Sequence, residues 1–452
     1  MTASAGSIDT FRECFEGALP SLVATCAPDG TPNVTYVSQI HYVDPEHVAL
    51  TYQFFSKTRE NILANPRATA HVIHPDTAAQ YHLRLEYLRT ETHGPLFESM
   101  KAKLAGIASH TGMAGVFRLL GSDVYRVLGS ERLPGPELPP PPPRRNLLAA
   151  VRATAQRIAD CTDLSRLLDQ TLESLATRFG IDHAMVLITD PSRARLYAVA
   201  SRGYPDSGIG SEIPLGVGVI GVAARERTAI RISYATAEYA YGRAIRENAA
   251  SGGMAEMLET EIALPGLCAS GSQLAVPIAA GNAVLGVLFA ESERPAYFSY
   301  DDEDALVAVA AHLGAEMAFL KANEAVGDAP RDAAPAPVTG GPPIVVRHFA
   351  GDDSVFLGND YLIKGVAGAI FWKLVRDFVA TQRTEFSNRE LRLDPTIPLP
   401  DVSDNLEARL ILLQRRLAER CRLVRIEKTG RGRFRLCVER PLDLVDMPAG
   451  AR

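Results

Sequence analysis

The chain has 452 residues, 46% of them hydrophobic and 22% charged, with a formal net charge of −6. That is ordinary globular composition over a length suited to roughly two to four domains, and the acidic balance excludes a polyanion-seeking charge on the molecule as a whole. The six cysteines (Cys14, Cys26, Cys161, Cys268, Cys421 and Cys437) show no C-x-x-C spacing and no companion histidine cluster, so no zinc or iron–sulfur centre is expected.

The first segment, residues 1–132, reads mostly as strands. It opens on a polar stretch without the charged-then-apolar pattern of a leader, and no apolar run in the chain reaches the roughly 18 residues of a membrane span. With scattered thiols, the expectation is a cytoplasmic protein without a membrane contact. Ser21–Ala27 is apolar and β-prone and ends on the turn Pro28-Asp29-Gly30. Asn33–Tyr42 and His47–Phe55 predict two further strands, separated by Asp44-Pro45. Lys57–Ala64 predicts a helix stopped at Asn65-Pro66, and Tyr81–Glu91 and Asp123–Leu128 predict later strands. Strands broken by one short helix predict a small barrel.

Residues 133–145, with five consecutive prolines at Pro139–Pro143, predict an extended linker, because proline can enter neither a helix interior nor a central strand. Residues 146–324 then predict helices with apolar positions at Leu147, Val151, Ala155 and Ile158 and at Leu164, Leu167, Leu168, Leu172 and Leu175. Strands are predicted at His183–Thr189, Leu196–Ser201, Gln273–Ile278 and Ala283–Ala290, a small helix at Val219–Arg225, and a long helix from Asp301 to Asn323. An insertion, Ser233–Leu267, is placed to cover a pocket, and Cys268 reads as an incidental exposed thiol.

Residues 325–343, rich in Ala, Pro, Gly and Asp, predict a second linker. The last segment, 344–452, predicts short strands, the helices Val366–Thr381, Asn388–Leu393 and Asp404–Glu419, and a hairpin around Lys428–Arg433. From Arg409 to Arg440 there are eleven bases and three acids, a local net charge of +8 on an acidic chain. The whole is therefore a multidomain α+β protein.

Three resemblances add to this reading. The run Thr25–Pro66, with Asp29-Gly30-Thr31-Pro32-Asn33-Val34 and Phe55-Ser56-Lys57-Thr58-Arg59-Glu60-Asn61-Ile62, resembles the pyridoxamine-phosphate-oxidase-like, FMN-binding split barrels. The resemblance implies a homodimer with FMN between subunits and its phosphate at Ser56, Lys57 and Thr58. A helix start supplies free N–H groups and a favourable dipole for such an anion. It further implies Thr35, Val37, Ser38, Thr51 and Gln80 as neighbours of the flavin ring. Related barrels bind haem or a deazaflavin. The oxidase's own substrate-gripping arginine and histidine motif has no match, so pyridoxamine phosphate oxidation is not expected.

Residues 146–323, through Phe179-Gly180-Ile181, Gly216-Val217-Gly218-Val219-Ile220-Gly221, Gln273–Ile278 and Phe298–Asp304, resemble the GAF family, which implies a sensor with a possible small-molecule ligand. The C-terminal order resembles the winged-helix output domains of response regulators. That likeness implies duplex DNA as partner, with Arg409, Arg415 and Arg416 on a recognition helix and Lys428, Arg431 and Arg433 on a wing. The combined expectation is a flavin-binding sensor that regulates transcription. An FMN-dependent oxidoreductase with regulatory appendages is the alternative. No triad, paired-carboxylate signature or Walker loop stands out, so no catalytic residue is assigned.

Overall fold

The computed structural model describes residues 7–17, 19–37, 39–53, 57–110, 118–140, 146–233, 262–323, 341–399, 406–430 and 432–448. Ser38, Ser56, Arg431 and most of the insertion Ser233–Leu267 lie outside the described residues.

The N-terminal domain begins with a 3-10 helix, Ile8–Phe15, and a seven-stranded sheet follows. Its strands are β1 (Ser21–Cys26), β2 (Pro32–Val37), β3 (Ile40–Asp44), β4 (His47–Tyr52), β5 (Arg67–Ile73), β6 (Gln80–Glu91) and β7 (Gly121–Leu133). They are ordered β2-β1-β5-β6-β7-β4-β3. The run expected as one strand, Asn33–Tyr42, is thus two. β2 and β3 follow each other closely in the chain yet form opposite edges, so the sheet is rolled until its edges approach, as in a barrel. Val23, Ile40, Val48, Leu50, Leu83 and Leu85 fill the interior. Helix α1 (Lys57–Ala64) matches its predicted span, whereas α2 (Pro95–His110) and β5 were not anticipated.

The middle domain is a six-stranded antiparallel sheet ordered β10-β9-β8-β13-β12-β11. The strands are β8 (His183–Asp190), β9 (Arg195–Arg202), β10 (Glu212–Pro214), β11 (Ile230–Ile232), β12 (Ser272–Ala280) and β13 (Ala283–Ser292). Helices α3 (Leu147–Ala159), α4 (Leu164–Phe179) and α6 (Tyr300–Asn323) share one apolar core with Val186, Val276 and Leu288. Helix α5 (Gly218–Glu226) packs on the opposite side with Met185, Leu187 and Phe289. Asp163 caps α4 through the Arg166 N–H at 2.9 Å, and Gly180 ends it at φ +64°. One expectation changes. α6 has 24 residues and contains an 18-residue window of mean hydropathy 1.5, long and apolar enough by length and composition for a membrane span. Its Leu306, Val309, Ala310 and Leu313 are instead spent on the domain core.

The C-terminal domain carries β14 (Ile344–Phe349), β15 (Ser354–Leu357), β16 (Asp360–Ile363) and β20 (Leu442–Met447) in one sheet, with β14 and β20 parallel. Helix α7 (Gly365–Thr381), β17 (Glu385–Ser387), α8 (Asn388–Leu393) and α9 (Leu406–Arg420) precede the hairpin β18 (Val424–Gly430) and β19 (Arg433–Val438). Trp372 of α7 is buried and stacks on His348 at 4.7 Å. The apolar core of this domain is continuous with that of the middle domain.

Candidate functional site

In the N-terminal domain, Lys57 opens α1 as expected, and its amine lies 3.1 Å from Glu60 on the same helix, half exposed. Thr58 accepts a 2.9 Å hydrogen bond from the Asn33 amide of β2, which leaves the Thr58 hydroxyl proton available to a ligand. Asn33 also reaches Thr25, and Thr25 accepts from the buried Asn61 at 3.1 Å. The side-chain Oδ1 of Asn61 has no partner among the described residues. Arg59 is the anchored cation of this helix: it pairs with Asp123, donates to Thr90 at 2.9 Å and lies 4.5 Å over the Tyr52 ring.

Thr35 and Val37 are opposite Val23 and Ser21, so they point to the interior side of the edge strand β2 and are half-buried. Thr51 belongs to a row that the sequence did not reveal. It lies beside Gln39, whose carbonyl accepts its N–H at 3.4 Å, and opposite Ser122 of β7. Gln39 is 1% exposed, and neither atom of its amide has a partner among the described residues; the Ser122 hydroxyl is in the same position. Unpaired buried polar atoms cost roughly 1–3 kcal/mol each, so such a row marks a place for a ligand or water. It stands at the end of β4, from which the chain runs on into Lys57. Gln80, by contrast, pairs with Ile73 at the far end of β5 from Ala68, the partner of Thr25. At ~3.3 Å per residue that separation is roughly 16 Å, so one chain does not bring Gln80 to Lys57 and Thr58.

The outer face of this sheet carries exposed apolar residues at its β2 edge. Val34 and Tyr36 of β2 are 64% and 74% exposed beside a groove of about 310 Å³ lined by Leu22, Ala24, Thr69, His71 and His82.

The N-terminal and middle domains meet at a charge cluster in which Arg231, Lys103, His41 and Tyr300 are buried and Glu16 and Glu303 are partly buried. Arg231 of β11 pairs with Glu16, lies 2.7 Å from Glu303 and donates to the Phe298 carbonyl at 3.0 Å. Lys103 of α2 lies 3.2 Å from the Tyr300 hydroxyl and 3.4 Å from His41 Nδ1. Burial and then the Arg231 charge push the Lys103 amine down to about 7, and burial with both cations holds His41 well below its usual value.

In the middle domain, buried Glu291 accepts from the Leu267 N–H at 3.0 Å and sits 3.4 Å from the Gln273 amide. Cys268, next in the chain to Leu267, is exposed. Among the described residues no three metal-binding side chains gather.

The C-terminal bases are mostly committed, which corrects the picture of an open basic face. Arg409, expected on a free recognition helix, is buried against Asp190 of the middle domain at 2.6 Å. Arg415 pairs with Asp169 at 2.7 Å and donates to the Val199 carbonyl at 3.0 Å. Buried Arg416 donates to the Leu362 carbonyl at 3.0 Å. A guanidinium turned into an interior must be paired there, and these three have found partners before any phosphate arrives. Lys428 lies 3.0 Å from Glu407, and Arg425 and Arg435 pair with Glu427 and Glu385. Arg433 is exposed at the hairpin.

Comparison with known families agrees with two of the three domains. Residues 8–114 match the pyridoxamine 5'-phosphate oxidase family model, and residues 161–318 match the GAF domain model. The chain thus joins a β-rich oxidase-like domain to a GAF domain. No curated protein matches the chain. Among solved structures it is similar to the GAF domain of an Acinetobacter phosphoenolpyruvate-protein phosphotransferase, with 24% identity over 39% of this chain and 95% of that one, at a TM-score of 0.31. It is also similar to a free methionine-R-sulfoxide reductase from Neisseria meningitidis, with 20% identity over 39% and 90% of the two chains and a TM-score of 0.31. An FMN-binding protein from Syntrophomonas wolfei shares 11% identity over 28% and 86%, at a TM-score of 0.24. None of these likenesses bears on activity.

Proposed function

We propose that the protein is a cytoplasmic, homodimeric flavin-binding sensor whose C-terminal, winged-helix domain binds duplex DNA. The observation that carries the flavin half is the buried, unpartnered amide of Gln39 beside Thr51 and Ser122, on the strand end that leads to Lys57 and Thr58. One end of this region offers a cation, a hydroxyl and a helix N-terminus to a phosphate; the other offers donors and acceptors to the polar edge of a ring. These residues fit FMN, which would supply reversible redox chemistry. Lys57, Ser56 and Thr58 would hold its phosphate, and Gln39, Thr51 and Ser122 would fix the ring edge, with Thr35, Val37 and Ser38 along its flank. Gln80, remote in its own chain, would serve the site of a second subunit.

Dimerisation is supported by the exposed apolar edge strand β2, since such an edge invites pairing. Leu148 of α3 and Phe319 of α6 add further exposed apolar surface. The output half is supported by the order of helices and hairpin and by the exposed Arg433 at the start of β19. The GAF domain supplies a second input for a small molecule.

The test is the absorption spectrum of purified protein, followed by Gln39→Leu. A flavin spectrum, lost affinity in this variant and a raised melting temperature of its apo form are expected, because the substitution removes an unpaired buried amide worth roughly 1–3 kcal/mol. A haem or deazaflavin spectrum would reassign the ligand. Steady oxidation of reduced nicotinamide would identify an FMN-dependent oxidoreductase instead.

A further inference from the structure

Helix α9 is buried on more than one side. The consecutive residues Leu410, Ile411, Leu412 and Leu413 are all buried, and at 3.6 residues per turn no single core can receive four in a row. The C-terminal domain takes part of this surface through α7, β16 and β18. The GAF domain takes the rest. Arg409 pairs with Asp190 at the end of β8, each side chain 7% exposed or less, and its guanidinium lies 4.1 Å over the Tyr197 ring of β9. Arg415 reaches Val199 of β9 and Asp169 and Ser165 of α4. Leu412 and Arg416 close over Gly210 in the β9–β10 connection. A Cβ there would stand 3.6 Å from the Leu412 methyl and 2.7 Å from Ile262, the residue at which the insertion re-enters the described chain.

Resting on the DNA-binding reading above, we infer that the GAF domain is a latch on α9: the closed chain hides the face bearing Arg409, Leu412, Arg415 and Arg416, and DNA binding requires that face to come free. The energetics suit a switch. A buried ion pair gains little net over its two separately hydrated partners, so opening costs mainly the apolar contacts around it. The fit is close, because Gly210 is held between Ile262 and α9. Opening releases the guanidinium groups of Arg409 and Arg415 together, which adds charge where a phosphate backbone would lie, while Arg416 stays bonded to the Leu362 carbonyl of its own domain.

The test uses the full chain. Asp190→Asn with Asp169→Ala removes both carboxylates that hold the arginines. Amide exchange over residues 406–420 should accelerate, and affinity for a mixed-sequence duplex at low salt should rise roughly tenfold or more, as when a minor competent state becomes dominant. Asp190→Leu with Arg409→Met replaces the pair by apolar contact and should keep both the protection and the low affinity. Asp169→Ala alone alters a half-exposed residue, leaves the core intact, and should raise affinity by roughly two- to threefold if the double variant does not fold. Faster exchange with an unchanged, measurable affinity overturns the latch and leaves DNA binding standing. Faster exchange with no duplex bound by any protein overturns the DNA reading and the latch with it. Unchanged exchange overturns the role given to the two carboxylates.

Discussion

Replacing Lys103 by methionine tests whether a buried amine sets the pH dependence of the junction between barrel and GAF domain. In the unfolded chain a lysine keeps its proton to roughly pH 10.4, whereas Lys103 in place releases it near pH 7. Between those limits the folded chain binds fewer protons, so stability rises with pH, at a slope approaching about 1.4 kcal/mol per pH unit. From pH 7 to pH 9 the gain is on the order of 2 kcal/mol, allowing for half-protonation at the start. The groups facing the amine are His41, Tyr300 and Arg231, with Glu16 and Glu303 behind them. His41 is already neutral in this window, and burial pushes Tyr300 far above it. Buried Cys14, pushed up to about 12, has the opposite sign and loses stability as pH passes roughly 8.5, but both proteins carry it. The assay is urea unfolding of wild type and Lys103→Met at pH 7, 8 and 9, read as the difference. The variant should be the more stable at pH 7, with its advantage shrinking toward pH 9. Parallel curves would refute a titrating Lys103.

The remaining predictions concern ligand, assembly and output. Lys57→Ala should weaken FMN binding by roughly 1.5–3 kcal/mol, the scale of a charge-assisted hydrogen bond, measured by flavin fluorescence quenching; an unchanged affinity removes Lys57 from the site. Tyr36→Asp places a charge on the exposed edge strand and should convert a dimer to monomer in sedimentation at micromolar concentration; a wild type that is monomeric with flavin bound contradicts the dimer. Neutralising Arg431 and Arg433 should weaken all duplexes alike and flatten the slope of log K against log salt by about two, since each phosphate contact releases roughly 0.9 counterion. A slope that does not move assigns the hairpin to a protein partner.

The sequence by itself determined most of the described elements. The start of α1 at Lys57 was legible because a strand ends and a helix-forming run begins there, and α4 because its leucines repeat at helical spacing between Asp163 and Gly180. β5 escaped although it alternates, because its inward residues Ala68 and Ala70 are too small to give a strong apolar signal. The match to the oxidase-like and GAF families rests on such local runs. Tertiary structure alone decided what the charged groups do. Arg409 lies on a basic helix and reads as a DNA contact, yet its partner, Asp190, is 219 residues away. Lys103, Tyr300 and Arg231 come from three distant segments, and the unpaired Gln39 is known only by what fails to surround it. The reason is physical. Periodicity records which side of an element avoids water, and it repeats within a few turns. The pairing of a buried charge is fixed by whichever surface closes over it, and that surface carries no trace in the residues on either side.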